Sequence, residues 1–199
     1  MAPSSRRIEH LFSRKGTTRS RELVAAGLSR SAITRRVAAG TLARVARGLY
    51  SLPEYQGGEN STLVEVATRA PKLVFCLLTA LRVHDLTTQL PFEVWIAIGN
   101  KDHPPRISYP PLRTVRFARA SLEAGVETRT IDGATIRITS LAKTVADCFK
   151  FRSKVGLDVA LEALQEARRD RRATMDELWH FAKIDRVDNV MRPYLEALG

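Results

Sequence analysis

Arginine is the side chain this sequence distributes most unevenly. Residues 1–50 hold eleven Lys and Arg (Arg6, Arg7, Arg14, Lys15, Arg19, Arg21, Arg30, Arg35, Arg36, Arg44 and Arg47) against Glu9 and Glu22, a net +9. The other 149 residues hold 21 cations and 19 anions, a net +2. A guanidinium fork bonds phosphate oxygens, or guanine O6 and N7, two at a time. Each phosphate so neutralised releases condensed counterions, which makes concentrated arginine the electrostatic footprint of a polyanion binder. Spacing sharpens the reading. Ser31, Thr34, Arg35 and Ala38 share one face of a helical repeat whose other face carries Ile33 and Val37, and Arg30 lies in its first turn. Such a face suits a major groove: Arg35 for a bidentate guanine contact, Ser31 or Thr34 for a base edge or phosphate, Arg36 at the flank for phosphate. Arg19, Arg44 and Arg47 complete the set of candidate DNA contacts.

Catalytic chemistry finds less support. His84 and Asp85 are adjacent but read as a helix end, and His103 and His180 stand in isolated contexts. Neither GxxxxGK[ST] nor GxGxxG occurs, so no phosphate-cradling loop is signalled. A nucleotidyltransferase needs a Gly-Ser followed by closely spaced aspartates, and the chain contains no Gly-Ser; Glu93 and Lys101 are too far apart for a D…ExK nuclease. Cys76 and Cys148 lie in apolar patterns without CxxC partners and read as core thiols of a reducing compartment. The expectation is a protein that is not an enzyme and binds no metal or cofactor. No apolar run reaches the roughly 18 residues of a membrane span, and MAPSSRRIEH has no apolar stretch behind it, so a soluble, cytoplasmic protein with no membrane partner is expected.

The elements that must position the basic face follow from periodicity. Ile8, Leu11 and Phe12 predict a short first helix ending near Gly16. Thr17 and Thr18 are N-cap candidates for a second, with Leu23, Val24 and Ala26 as its apolar residues. Gly27 falls where a C′ residue takes positive φ, and Leu28 follows as a buried turn residue. Ser29 caps a third helix running to Ala39, with Gly40 closing it: a helix-turn-helix spacing. Then 41–45 and 48–52 alternate like strands around Ala46-Arg47-Gly48, with Gly48 in the left-handed position of a hairpin turn. Three helices and a basic hairpin predict a winged helix-turn-helix that binds double-stranded DNA.

The stretch Pro53–Glu59 has linker composition, dividing the chain into residues 1–55 and 60–199. The second part reads as mixed α/β, which makes the whole α+β, with a small sheet and a helical end. Helices are predicted around Leu63–Ala67 and Leu77–Leu81. Strands are predicted at Phe92–Ile98, at Leu112–Ala118 (Val115 and Phe117 inward), and at 126–131 and 134–138 about the Asp132-Gly133 turn. Further helices span Ser140–Phe151, with Leu141, Val145 and Cys148 on one face, and Leu157–Arg169, with Leu157, Leu161 and Leu164. Thr174–Glu177 is a capping box opening another helix, and a last one lies around Val187–Leu198. The Arg168–Arg172 run suits a helix C-terminus, with a second nucleic-acid contact as the alternative. The Pro-rich, basic 101–113 stretch reads as an exposed loop able to touch a partner or a DNA backbone.

Several of these stretches resemble the AbiEi family, the antitoxin-repressors of type IV toxin-antitoxin systems. They are Thr18…Leu23…Gly27-Leu28-Ser29, Gly40-Thr41-Leu42…Arg47-Gly48-Leu49-Tyr50, Ala80–Leu86, and Thr139–Asp147, which is similar to that family's TsPxRTxxD stretch. Asp85 departs from a common Gly, and Lys143 from the usual Arg. The resemblance implies an N-terminal domain that binds inverted repeats in its own promoter and represses the operon. It also implies a C-terminal domain that neutralises a cognate AbiEii-type nucleotidyltransferase toxin in phage defence, with no stable complex required. Two other readings stay open: a winged-helix transcription factor with a ligand- or partner-sensing second domain, and a nucleic-acid-modifying enzyme.

Overall fold

The computed structural model describes residues 11–12, 17–46, 48–53, 60–132, 134–169 and 171–198. The chain divides into two compact units, residues 1–71 with 130–135, and residues 72–129 with 136–199. Residues 54–59 of the expected Pro53–Glu59 linker lie outside the described residues; in sequence the first unit passes into the second between Pro71 and Lys72.

In the first unit, β1 (Thr17–Arg19), α1 (Ser20–Ala25), α2 (Arg30–Ala38), β2 (Ala43–Ala46), β3 (Leu49–Ser51) and α3 (Ser61–Arg69) follow in order. The three strands form an antiparallel sheet, β1-β3-β2. Thr17 and Thr18 are strand residues here, a correction to their expected capping role. The backbone of 17–19 pairs with 49–51, which holds both threonines extended and passes the N-cap to Arg19. Glu22 then reaches back to accept the Arg19 N–H at 2.9 Å. Of the first expected helix, Leu11 and Phe12 are helical and the rest lies outside the described residues. Phe12, Leu23, Leu28, Ile33 and Leu42 make the core, with Val37, Tyr50 and Leu52 against it. Val24, expected beside Leu23 in that core, is exposed, because one turn of helix offers the core only a single stripe.

The second unit holds β4 (Val74–Phe75), α4 (Leu77–Val83), β5 (Val94–Gly99), β6 (Leu112–Phe117), α5 (Arg119–Glu123), β7 (Val126–Ile131), β8 (Ala134–Thr139), α6 (Leu141–Lys150), α7 (Arg152–Val155), α8 (Leu157–Arg169), α9 (Met175–Asp185) and α10 (Asp188–Glu196). The tip of the β7–β8 hairpin, 130–135, belongs to the first unit. The sheet order is β6-β5-β4-β8-β7, with β4 antiparallel to β5 and parallel to β8, and β5 parallel to β6. A mixed sheet followed by helices gives the α+β class. The expected strand at 92–98 starts two residues late, at Val94, leaving Phe92 in solvent. Once paired on both sides, β5 is buried from Val94 to Ile98 and reads as a continuous apolar run. Residues 142–149 of α6 are all buried, so this helix is wrapped on every side rather than presenting the one face its leucine and valine spacing suggested. The buried side of α8 is Val159, Ala160, Ala163, Leu164 and Ala167, while Leu157 is exposed. Small alanines there let the helix pack closely.

Candidate nucleic-acid interface

The turn between α1 and α2 is fixed at its first end by backbone bonds and at its second by a side-chain cap. Gly27 takes φ +99, its N–H donates to the Val24 carbonyl at 2.9 Å, and the Leu28 N–H donates to the Leu23 carbonyl at 3.0 Å. That double closure needs a left-handed residue at C′, which glycine adopts without cost. Ser29 then caps α2, its Oγ accepting the Ala32 N–H at 3.1 Å. At the far end Gly40 (φ +68) repeats the device: its N–H donates to the Val37 carbonyl and the Thr41 N–H to the Arg36 carbonyl. Consequently Thr41 and Leu42 belong to the helix closure, and β2 begins at Ala43, two residues later than the alternation suggested.

Helix α2 is thus held at both ends, with Ile33 buried beneath it. Arg30, Ser31, Thr34, Arg35 and Ala38 are exposed, so four of the candidate contacts share the solvent face. The Ser31 and Ser29 hydroxyls share a 2.9 Å bond, and the Thr34 hydroxyl donates to the Arg30 carbonyl at 3.2 Å, leaving its lone pairs outward as acceptors. Arg36 is half-buried at the flank. Arg44 is exposed on β2, opposite Tyr50, where a bulge shifts the register before Ala46 pairs with Leu49. Gly48 takes φ +76, as the hairpin turn requires, and its carbonyl accepts the Ser20 N–H at 2.8 Å, tying the turn to the start of α1. Arg47, at the tip, lies outside the described residues. Arg19 is set apart: its Nη2 donates to the Thr68 carbonyl at 3.2 Å, and it lines a cleft of about 320 Å³ with Arg21, Glu22 and Asp132.

In the second unit, two motif stretches far apart in sequence meet. His84, fully buried at the end of α4, donates from Nε2 to the Thr139 carbonyl at 2.7 Å. Burial holds its imidazole below the usual range, so it is neutral and its Nδ1 is a buried acceptor without a partner. Farther along α6, Lys143 reaches Asp147, Asp185 (3.1 and 3.2 Å) and Ser121 (3.3 Å), all buried. Desolvation pushes the Asp147 carboxyl well up; Asp185 adds to this by its charge and as hydrogen-bond partner, against Lys143. Sequence reading missed this cluster, although Lys143 and Asp147 at i, i+4 on an otherwise apolar helix were the available sign. Among the described residues no group of three or more His, Cys, Asp or Glu side chains is placed to hold a metal ion. No helix among them is long and apolar enough to cross a membrane.

The first unit therefore falls in the class of proteins that carry a helix-turn-helix backed by a small antiparallel sheet, with a basic exposed second helix. Residues 6–53 match the family described as transcriptional regulator, AbiEi antitoxin, which supports the family resemblance carried by the motifs. The match ends at the last strand of that unit's sheet. No curated protein matches the sequence. Among solved structures, the crystal structure of the RV2827C protein from Mycobacterium tuberculosis resembles the chain with a TM-score of 0.59 and 13% identity, over 90% of this chain and 71% of that one. At that identity the likeness is one of fold alone.

Proposed function

We propose that this protein is a DNA-binding transcriptional regulator whose first unit is a winged helix-turn-helix. The carrying observation is the solvent face of α2, where Arg30, Ser31, Thr34 and Arg35 stand together on a helix fixed at both ends. In this reading α2 enters the major groove, with Arg35 reading guanine and Arg36 meeting phosphate at the flank. The β2–β3 hairpin acts as the wing, with Arg44 and Arg47 along a phosphate backbone. Arg19, held by Thr68, positions the start of α1 and contacts DNA less directly. The family match extends the proposal to repression of its own operon through inverted repeats. It extends it also to a second, non-enzymatic unit that antagonises a nucleotidyltransferase toxin without a lasting complex.

The test is a gel shift on the DNA upstream of the gene and on a scrambled duplex, at two salt concentrations. Specific binding survives the higher salt. Arg35→Ala costs about 1–3 kcal/mol on the specific site and little on scrambled DNA, whereas Arg44→Ala weakens both alike and lowers the salt slope by about one unit. Equal, salt-independent losses in the two variants overturn the assignment. Co-expression with a toxin encoded beside the gene tests the antitoxin part separately, by growth rescue.

A further inference from the structure

The edge of the five-stranded sheet carries features that regulation of DNA leaves unexplained. Among the described residues, strand β6 is paired on one side only, with β5. Among the described residues none of its backbone groups bonds to anything on the open side. An open edge is a template for another extended chain. Where β5 and β6 begin, with Val94 opposite Leu112, the chain exposes Leu90 (77%), Phe92 (87%) and Tyr109 (64%). Leucine and phenylalanine this exposed, two positions apart in the chain, mark a surface that something covers.

Charge states what that something is. Lys101, Arg106, Arg113 and Arg116 are all exposed around this edge, against Asp102 and the half-buried Glu93. The Asp102 carboxylate already accepts the Gly99 N–H at 2.9 Å. Arg116 is held in place by the carbonyls of Gly99 and Asn100, at 3.0 and 2.6 Å, and Arg113 by the Trp95 ring at 5.6 Å. These partners are neutral, so they fix both guanidiniums without cancelling their charge. A second copy of the chain would bring the same arginines against them, which disfavours pairing β6 with itself. A nucleic acid has no N–H and C=O ladder to match a strand edge.

We propose that β6 is the docking edge for an acidic, extended segment of a partner protein. The segment adds as a sixth strand, sets one carboxylate on each face, against Arg113 on the Val115 side and Arg116 on the other, and covers Leu90 and Phe92 with an apolar side chain. This site lies wholly in the second unit and stands whether or not the first unit reads DNA.

The probe is a short fluorescent peptide of paired glutamates between valines, which carries carboxylates on both faces of an added strand, titrated into the full chain by anisotropy, with the peptide that has lysine at each glutamate position as control. The acidic peptide binds and the basic one does not. Phe92→Ser weakens binding by about tenfold, as expected for uncovering much of a phenylalanine ring. The double variant Arg113→Glu, Arg116→Glu weakens it by at least as much, and amide exchange at residues 112–117 slows when the peptide is present. These side chains are exposed, so the variants fold, which an unchanged Tm verifies; their upstream-DNA binding is also unchanged. Failure of the acidic peptide to bind, equal binding of both peptides, or unchanged exchange at 112–117 overturns the proposal. So does a dimer dissolved by Phe92→Ser, which assigns the edge to a second copy. Displacement of the peptide by single-stranded oligonucleotide whose own affinity ignores Phe92→Ser overturns it too, in favour of nucleic acid.

Discussion

Replacing Asp147 by asparagine should leave the protein as stable as before or more so at neutral pH, although it removes one partner of a fully buried lysine. Three groups decide this. Asp185 accepts from Lys143 on both oxygens and from the Ser121 hydroxyl besides, so Lys143 keeps two acceptors there when Asp147 is replaced. Asp147 keeps one oxygen, Oδ2, without any partner. Burial, then the neighbouring Asp185, push its carboxyl well above the ordinary 3.8. Asp147 is therefore protonated in the native state through a pH range in which the unfolded chain has already lost that proton. Because the folded pKa is the higher one, the stability linked to Asp147 is complete below about 3.8 and declines as pH rises toward the folded pKa. One proton of difference corresponds to about 1.4 kcal/mol lost per pH unit across that window. Asparagine has the shape of the protonated acid and its Oδ1 still accepts from Lys143, but it has no proton to retain. Urea unfolding of both proteins at several pH values is the assay. The difference in stability, variant minus parent, should grow with pH at about 1.4 kcal/mol per unit from the lower limit of the window. A variant destabilised by about 3 kcal/mol or more at neutral pH, with no change in slope, would instead mean that Asp147 is the ionised partner of Lys143 and that removing it leaves a buried charge uncompensated.

The other expectations are more local. Asp85→Gly should stabilise the protein by about 0.5 kcal/mol in the same urea assay, because Asp85 holds φ +52 at the C′ position of α4, where the Asp85 and Leu86 N–H groups close onto Arg82 and Leu81. A loss of stability would show that the aspartate side chain matters more than the backbone. Gly27→Ala at the equivalent place after α1 should cost about 1 kcal/mol and weaken DNA binding through the position of α2, read by thermal melting and gel shift. His84, whose folded pKa lies below 6.5, contributes stability that is complete above 6.5 and is lost as pH falls, at about 1.4 kcal/mol per unit until the imidazole ionises in place. His84→Gln should lack that acid sensitivity, and an unchanged profile would refute burial as the cause.

What could be read from the sequence is what local chemistry dictates. Gly27 and Gly48 announced left-handed turns and took them, and Gly40, expected to close α2, does so with φ +68. Ser29 and Thr174 announced caps and form them, the latter with Glu177 in a reciprocal box at 2.8 and 3.2 Å. Ser31, Thr34 and Arg35 announced an outward face, and Ile33 beneath them is buried. What stayed hidden depends on partners distant in the chain. Thr17 and Thr18 have the chemistry of caps, yet pairing with residues 50 and 51, over thirty positions away, makes them strand. Two-residue β4 carries no periodicity at all and exists because β5 and β8 flank it. The same holds for the buried charges: Lys143 and Asp147 are visible as a helical pair, but Asp185, forty-two residues from Lys143, joins burial in raising the Asp147 carboxyl. The departure of Lys143 from the usual arginine acquires a reason in that setting. A guanidinium would bring five N–H donors into a buried space where three oxygen-bearing side chains already satisfy one ammonium with its three, and so would need room that α6, buried along 142–149, does not offer.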